Sequence, residues 1–271
     1  MKLKISTSEM RNSSKIVRIP HKNKKLYTAG QKSLVEVFFP GRNLCLTYYN
    51  DRFDLHPGDL VYVDGKLEGQ LGKVTEVSHN FKIKLSEYRR VVGVADTKVT
   101  GRFFMVGQYF ITFWPSVLPA SKVATWFFAP GQEGDQIVSA TDGSAFSIEK
   151  PEEMPFSTGI AQRGENYYLE NRVQYLSLNG SRGYGIVEGT QAYEVEFQYQ
   201  KGKIRELLCS CPCTYPCKHE YAALLQLKDI LQWIAMHHKA IYEKTGYFAI
   251  VSKRCLFDFA IGSQESGSIT L

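Results

Sequence analysis

The sequence predicts an α+β fold, in which a small barrel-like β domain is followed by a domain where a β-hairpin runs through a cysteine cluster into a helix. Three observations predict it. Between residues 35 and 85 apolar and polar residues alternate in short bursts divided by Gly, Pro and Asp, the rhythm of half-buried antiparallel strands. Tyr193 to Tyr199 (YEVEFQY) keeps a strict period of two and is followed by a second apolar run, Ile204 to Leu208. Beyond His219 the period changes: Leu224, Leu227, Leu231 and Ile234 recur three or four residues apart, as on one face of a helix.

A length of 271 residues favours two modest domains. With 44% hydrophobic and 22% charged residues, the composition excludes global disorder, a collagen-like repeat and a membrane protein. No apolar run approaches the roughly 20 residues of a membrane span, so no membrane partner is expected. The amino terminus, MKLKISTSEMRNSSK, lacks the apolar stretch of a secretory signal, which points to the cytoplasm. The net charge of +6 is unevenly spread. Residues 1–34 hold nine Lys and Arg (Lys2, Lys4, Arg11, Lys15, Arg18, Lys22, Lys24, Lys25 and Lys32) against Glu9 alone, whereas the remainder has 24 basic and 26 acidic residues. This describes a basic arm on a near-neutral body. Such arms often contact phosphates, and a solvated leader fits the same composition.

In residues 35–128 the pattern gives five strands at Val35 to Phe39, Leu44 to Tyr49, Leu60 to Val63, Lys73 to Val77 and Phe81 to Leu85, with turns at Pro57-Gly58-Asp59 and Asp64-Gly65. Five short strands fit a small barrel, which removes sheet edges. Strand-like stretches continue through VVGVA and GRFFMVGQYFITFW, and ASKVATWFF reads as a short amphipathic helix. Residues 129–155 concentrate Gly, Ser, Asp, Glu and Pro and read as the linker between the domains. In residues 156–271, Arg172 to Leu178 and Gly185 to Val187 flank Asn179-Gly180, a strong hairpin signal. Gln200-Lys201-Gly202-Lys203 turns the next hairpin. The helix beginning at His219 runs for about 25 residues and stops at Gly246. The tail after it returns to strand-like alternation and is expected to close a sheet.

The chemistry gathers in LLCSCPCTYPCKHEYAALLQL. Of six cysteines, Cys45 and Cys255 stand apart while Cys209, Cys211, Cys213 and Cys217 fall within nine residues. In a reducing compartment such crowding indicates a metal rather than disulfides. Cys209-x-Cys211 with Cys217-x-His219 supplies three thiolates and an imidazole, a complete tetrahedral set for one structural zinc. Residues two apart at a strand end project to one side, and a helix start stabilises thiolate charge. Cys213 is a fifth candidate, so that Cys211 and Cys213 form an alternative pair. The Cys209/Cys211 pair is preferred because it leaves the longer connection to Cys217. A closed Cys₃His shell has no open position for water, and G-x-x-x-x-G-K-[ST], H-E-x-x-H and G-x-S-x-G are absent, so no enzyme activity is expected. His237-His238 suits the C-terminal end of the helix dipole. Gly180-x-x-Gly183-x-Gly185 lies inside a hairpin and reads as turn chemistry. The 16 Tyr and 16 Phe, in strand-rich sequence, read as core.

The C-x-C-x(n)-C-x-H pattern, preceded by a hairpin and running into a helix over Tyr193 to Leu231, resembles the SWIM-type zinc finger. The resemblance implies a β-hairpin/zinc-finger/helix domain with one structural zinc and no catalysis. It also implies nucleic-acid binding, with DNA the expected ligand, or a protein-interaction role beside a Swi/Snf-type ATPase. Lys201, Lys203, Arg205 and Lys218 are the candidate nucleic-acid contacts. A second, shorter resemblance lies in GDLVYVDGKLEGQLGKVTEV, where Val61, Val63, Gly65, Gly69, Gly72, Val74 and Val77 look like the KOW pattern of RNA-contacting SH3-like elements. Any tight barrel also places glycines at its turns.

Overall fold

Strands β1 (Ser33–Phe39), β2 (Leu44–Asn50), β3 (Leu60–Val63), β4 (Leu71–Ser78) and β5 (Val91–Val94) form an antiparallel sheet in the order β2-β1-β4-β3-β5. The structure, a computed structural model, describes residues 32–131, 140–150, 154–213, 216–261 and 268–270. Most of the expected basic arm and parts of the expected linker therefore lie outside the described residues. Alternation along β1 turns Val35, Val37 and Phe39 inward. The two sheet edges meet where the Tyr49 N–H donates to the Arg89 carbonyl at 2.8 Å and Tyr49 bridges Arg90 in parallel. The sheet thus curls round Val61, Val63, Val74 and Val91 and leaves few edge groups unpaired. The KOW-like Gly72 serves packing here, because a Cβ at that position would run into Val37 and Phe39.

The expected strand from Phe81 to Leu85 is not one. Leu85–Glu87 forms a 3-10 turn and the fifth strand is β5. Alternation in FKIKL leads nowhere because no side chain of the run is buried, whereas Val91 enters the barrel core.

The second sheet is larger. Its strands are β7 (Phe104–Val106), β8 (Tyr109–Thr112), β9 (Phe146–Ser147), β10 (Val173–Asn179), β11 (Arg182–Glu188), β12 (Ala192–Gln200), β13 (Lys203–Cys209) and β14 (Tyr247–Ser252), in the order β7-β8-β14-β10-β11-β12-β13-β9. Helix α1 (Ala120–Phe127) follows β8, α2 (Thr158–Leu169) precedes β10, and α3 (Lys218–His237) and α4 (Lys239–Thr245) lie between β13 and β14. Strand β6 (Thr100–Arg102) pairs in parallel with β15 (Ser268–Thr270). Along β14 the period of two sorts side chains between two cores. Phe248 and Ile250 meet Leu227, Ile230 and Ile234 of α3, while Tyr247, Ala249 and Val251 meet Val123 and Trp126 of α1. With a helix on each face the central strands are buried on both sides.

This sheet corrects the expected division at residues 129–155. Thr112 pairs with Ala249 and Ile111 with Ile250, so β7, β8 and α1 pack with the residues that follow that segment. The reason is that β14 needs a partner on its open side, and β8 supplies the backbone groups. The helix from residue 218 also differs from expectation. It breaks at His238, whose ring packs against Phe104 with centroids 4.3 Å apart, and Gly246 ends α4 with φ at 61°. The tail closes the sheet as expected through β14, which pairs with β10 and β8, but it then turns helical over Lys253–Cys255 and Leu256–Ile261 before the short strand β15. Among the described residues no helix is long and apolar enough to cross a membrane.

Candidate metal centre

The centre forms where β13 ends and α3 begins. Cys209 closes β13 opposite Val195 of β12. One residue on, the Ser210 N–H donates to the Glu194 carbonyl at 2.9 Å, carrying the ladder just far enough to present Cys211 beside Cys209. Cys217 is the N-cap of α3, and His219 stands in the first helical turn, 2% exposed. One ligand atom from each of Cys209, Cys211, Cys217 and His219 lies within 4.8 Å of all the others. His219 Nδ1 is 3.8 Å from Cys209 Sγ and 3.7 Å from Cys217 Sγ. A tetrahedral ion at about 2.3 Å from sulfur and 2.05 Å from nitrogen requires sulfur-to-nitrogen separations of roughly 3.6 Å. The spacing therefore fits one bound metal ion, with Nδ1 as the imidazole donor. Cys213 is exposed and lies outside this group, which favours Cys209/Cys211 over the alternative pair.

The surroundings hold the ligands in place. Cys217 and Glu220 form a reciprocal cap: the Cys217 N–H donates to Glu220 Oε2 at 2.7 Å, and the Glu220 N–H donates to Cys217 Sγ. Cys217-x-x-Glu220 has the spacing of a capping box with cysteine in the serine place, a signal legible in the sequence that the ligand pattern obscured. The His219 ring is fixed by packing. It lies between Tyr193, with centroids 4.6 Å apart, and Tyr167 of α2 at 5.5 Å. Its Nε2 is buried, without a hydrogen-bond partner among the described residues, and faces Gly189, where a Cβ would come within 2.9 Å of it. Tyr167, Tyr193 and Gly189 carry no sequence signal, because their role exists only once β11, β12, α2 and α3 have packed.

Without an ion the site favours protonated thiols. Hydrogen bonding with Cys209 and burial push Cys217 far up, and burial pushes Cys211 up to about 11. Burial, with Lys218 nearby, lowers His219 to about 4, so its imidazole is neutral and ready to ligate. Metal binding must displace the thiol protons, which makes affinity rise with pH.

The candidate nucleic-acid residues do not gather here. Lys218 sits at the centre with its Nζ 4.5 Å over the Tyr167 ring. Lys201 and Lys203 lie at the turn of the β12-β13 hairpin, the end opposite Cys209. Cys209 lies six residues along the strand from Lys203, a span of about 20 Å. Arg205 is exposed between them. The extended hairpin spreads residues that are close in sequence. His237 and His238 pack on Trp233, and the His237 Nδ1–H donates to the Trp233 carbonyl at 2.9 Å. Asn179-Gly180 is the tip of the β10-β11 hairpin, as turn chemistry requires.

A protein of Methanocaldococcus jannaschii, described as uncharacterized, is 32% identical over 71 residues, which are 26% of this chain and 30% of that relative. The chain therefore spans less than a third of the relative it matches. No family model and no solved structure matches the chain.

Proposed function

We propose that this chain is a cytoplasmic, non-catalytic binding protein built round one structural zinc in a SWIM-type finger, and that it contacts nucleic acid, DNA foremost, as an accessory to a Swi/Snf-type ATPase. The observation that carries the reading is the convergence of three thiols and an imidazole within 4.8 Å at a strand-to-helix junction. Such a donor set is closed, so no coordination position is left where a substrate or water could be activated. The ion's work is mechanical: it ties the end of β13 to the first turn of α3. The basic residues of the arm, with Lys218 beside the centre, supply phosphate contacts.

Elemental analysis is expected to find one zinc per chain. Fluorescence anisotropy with single- and double-stranded DNA and RNA at low salt is expected to give binding tighter than ~100 μM that weakens steeply as salt rises. Absence of binding at that level removes nucleic acid as the partner. The separation of Lys201 and Lys203 from Lys218, on a body with 24 basic and 26 acidic residues, favours a second reading as a protein-interaction scaffold. Recovery of one stoichiometric, nuclease-resistant protein partner would select that reading.

A further inference from the structure

A cleft of about 440 Å³ opens between α2, α3 and the turn joining β7 to β8, lined among others by Tyr109, Tyr168, Gln226, Asp229, Ile230 and Trp233. This is the size of a small-molecule site. Asp229 lies ten residues beyond His219 on α3, about 15 Å along the helix, so the cleft is separate from the metal centre.

Two features of the cleft point to a ligand. Tyr109 is only 4% exposed, yet its hydroxyl is buried without a hydrogen-bond partner among the described residues. A buried hydroxyl left unpaired is costly, and native structures seldom keep one without a purpose. Among the described residues lining the cleft, Asp229 is the one acidic side chain, and none of the others is a lysine, arginine or histidine that could pair with it. The Asp229 carboxylate lies near the Tyr168 hydroxyl, which burial and this neighbouring charge push above its ordinary value, and it keeps its lone pairs for a donor from outside.

We infer that this cleft binds a small organic cation, an ammonium group carried on a flat apolar body. The carboxylate of Asp229 accepts the charged N–H groups, the aromatic ring of Tyr168 favours positive charge, and Ile230 with the edge of Trp233 covers the apolar part. The Tyr109 hydroxyl meets a polar atom of the ligand. An anion is repelled by Asp229, and a neutral analogue forgoes the charge.

The test uses the full metal-loaded chain and three probes of one shape: phenethylammonium, 2-phenylethanol and 3-phenylpropionate. Titration is followed by NMR at the Trp233 indole N–H, assigned with Trp233→Phe. Phenethylammonium is expected to shift this signal and to bind about tenfold or more tighter than either analogue, as a charge-assisted contact of ~1.4 kcal/mol gives. Asp229→Asn is expected to abolish the preference. Tyr109→Phe removes only a hydroxyl without a partner among the described residues, so it should keep or raise the melting temperature while weakening phenethylammonium. No shift up to ~10 mM, where only very weak binding escapes detection, overturns the inference. So does equal binding of the three probes, an Asp229→Asn chain that binds like the parent, or a Tyr109→Phe chain with unchanged affinity.

Discussion

Replacing Glu220 by alanine tests whether the cap behind the metal centre holds it in place. Glu220 is 1% exposed, and its Oε2 takes the buried Cys217 N–H at 2.7 Å. Removing the carboxylate leaves that N–H without an acceptor, which costs ~1–3 kcal/mol, and the loss of helix caps falls in the same range. The expected loss of about 2 kcal/mol is a shift of roughly 30-fold in the folding equilibrium. Glutamine keeps both the acceptor and the volume, so Glu220→Gln should stay within about 1 kcal/mol of the parent, the net worth of a neutral hydrogen bond. Urea unfolding of the metal-loaded chains, followed by far-UV circular dichroism, measures both. If Glu220→Ala unfolds within ~0.5 kcal/mol of the parent, the cap contributes nothing beyond an ordinary surface change. If glutamine is as damaging as alanine, the charge and not the acceptor holds Cys217, and the reasoning fails.

Other expectations concern the same region. Cys213→Ser should retain one metal per chain and Cys209→Ser should lose it, as read by elemental analysis of the purified variants; the reverse would place the thiolate pair at Cys211 and Cys213. Gly189→Ala would set a methyl 2.7 Å from Tyr193 Cε2 and 2.9 Å from His219 Nε2. Overpacking of this kind costs ~1–3 kcal/mol, visible as a lower urea midpoint and weaker metal retention against a chelator. In the metal-free chain burial raises the Glu220 carboxyl from 4.5 to about 7 and lowers His219 from 6.5 to about 4. The Glu220 contribution is complete below pH 4.5 and lost as pH rises through 7, whereas that of His219 is complete above pH 6.5 and lost as pH falls through 4. The two slopes oppose each other between pH 4.5 and 6.5. Glu220→Gln removes one of them, so this variant should lose stability on acidification over that window more steeply than the parent, as measured by urea midpoints across pH.

The grouping of Cys209, Cys211, Cys217 and His219 is legible in the sequence because it is local. Ligand spacing, a strand end and a helix start are properties of neighbouring residues, and the Leu224, Leu227, Leu231 and Ile234 repeat places α3 without reference to the rest of the chain. The five-stranded sheet is legible for the same reason, apart from Phe81 to Leu85, where alternation without burial mimics a strand. Features created by contacts between distant segments are not legible. Helix α2 buries only Gly164, so it shows little amphipathic pattern, and it is located by packing against α3, where a Cβ on Gly164 would come within 2.7 Å of Tyr221 Cβ. The pairing of β8 with β14 joins residues on either side of a segment whose composition reads as a linker. Local composition records whether a segment is polar, but not whether the strands beyond it share hydrogen bonds. The break at His238, the aromatic seat of His219 and the cleft beneath Tyr109 likewise arise only when separate elements close on one another, because each depends on distances that no spacing along the chain encodes.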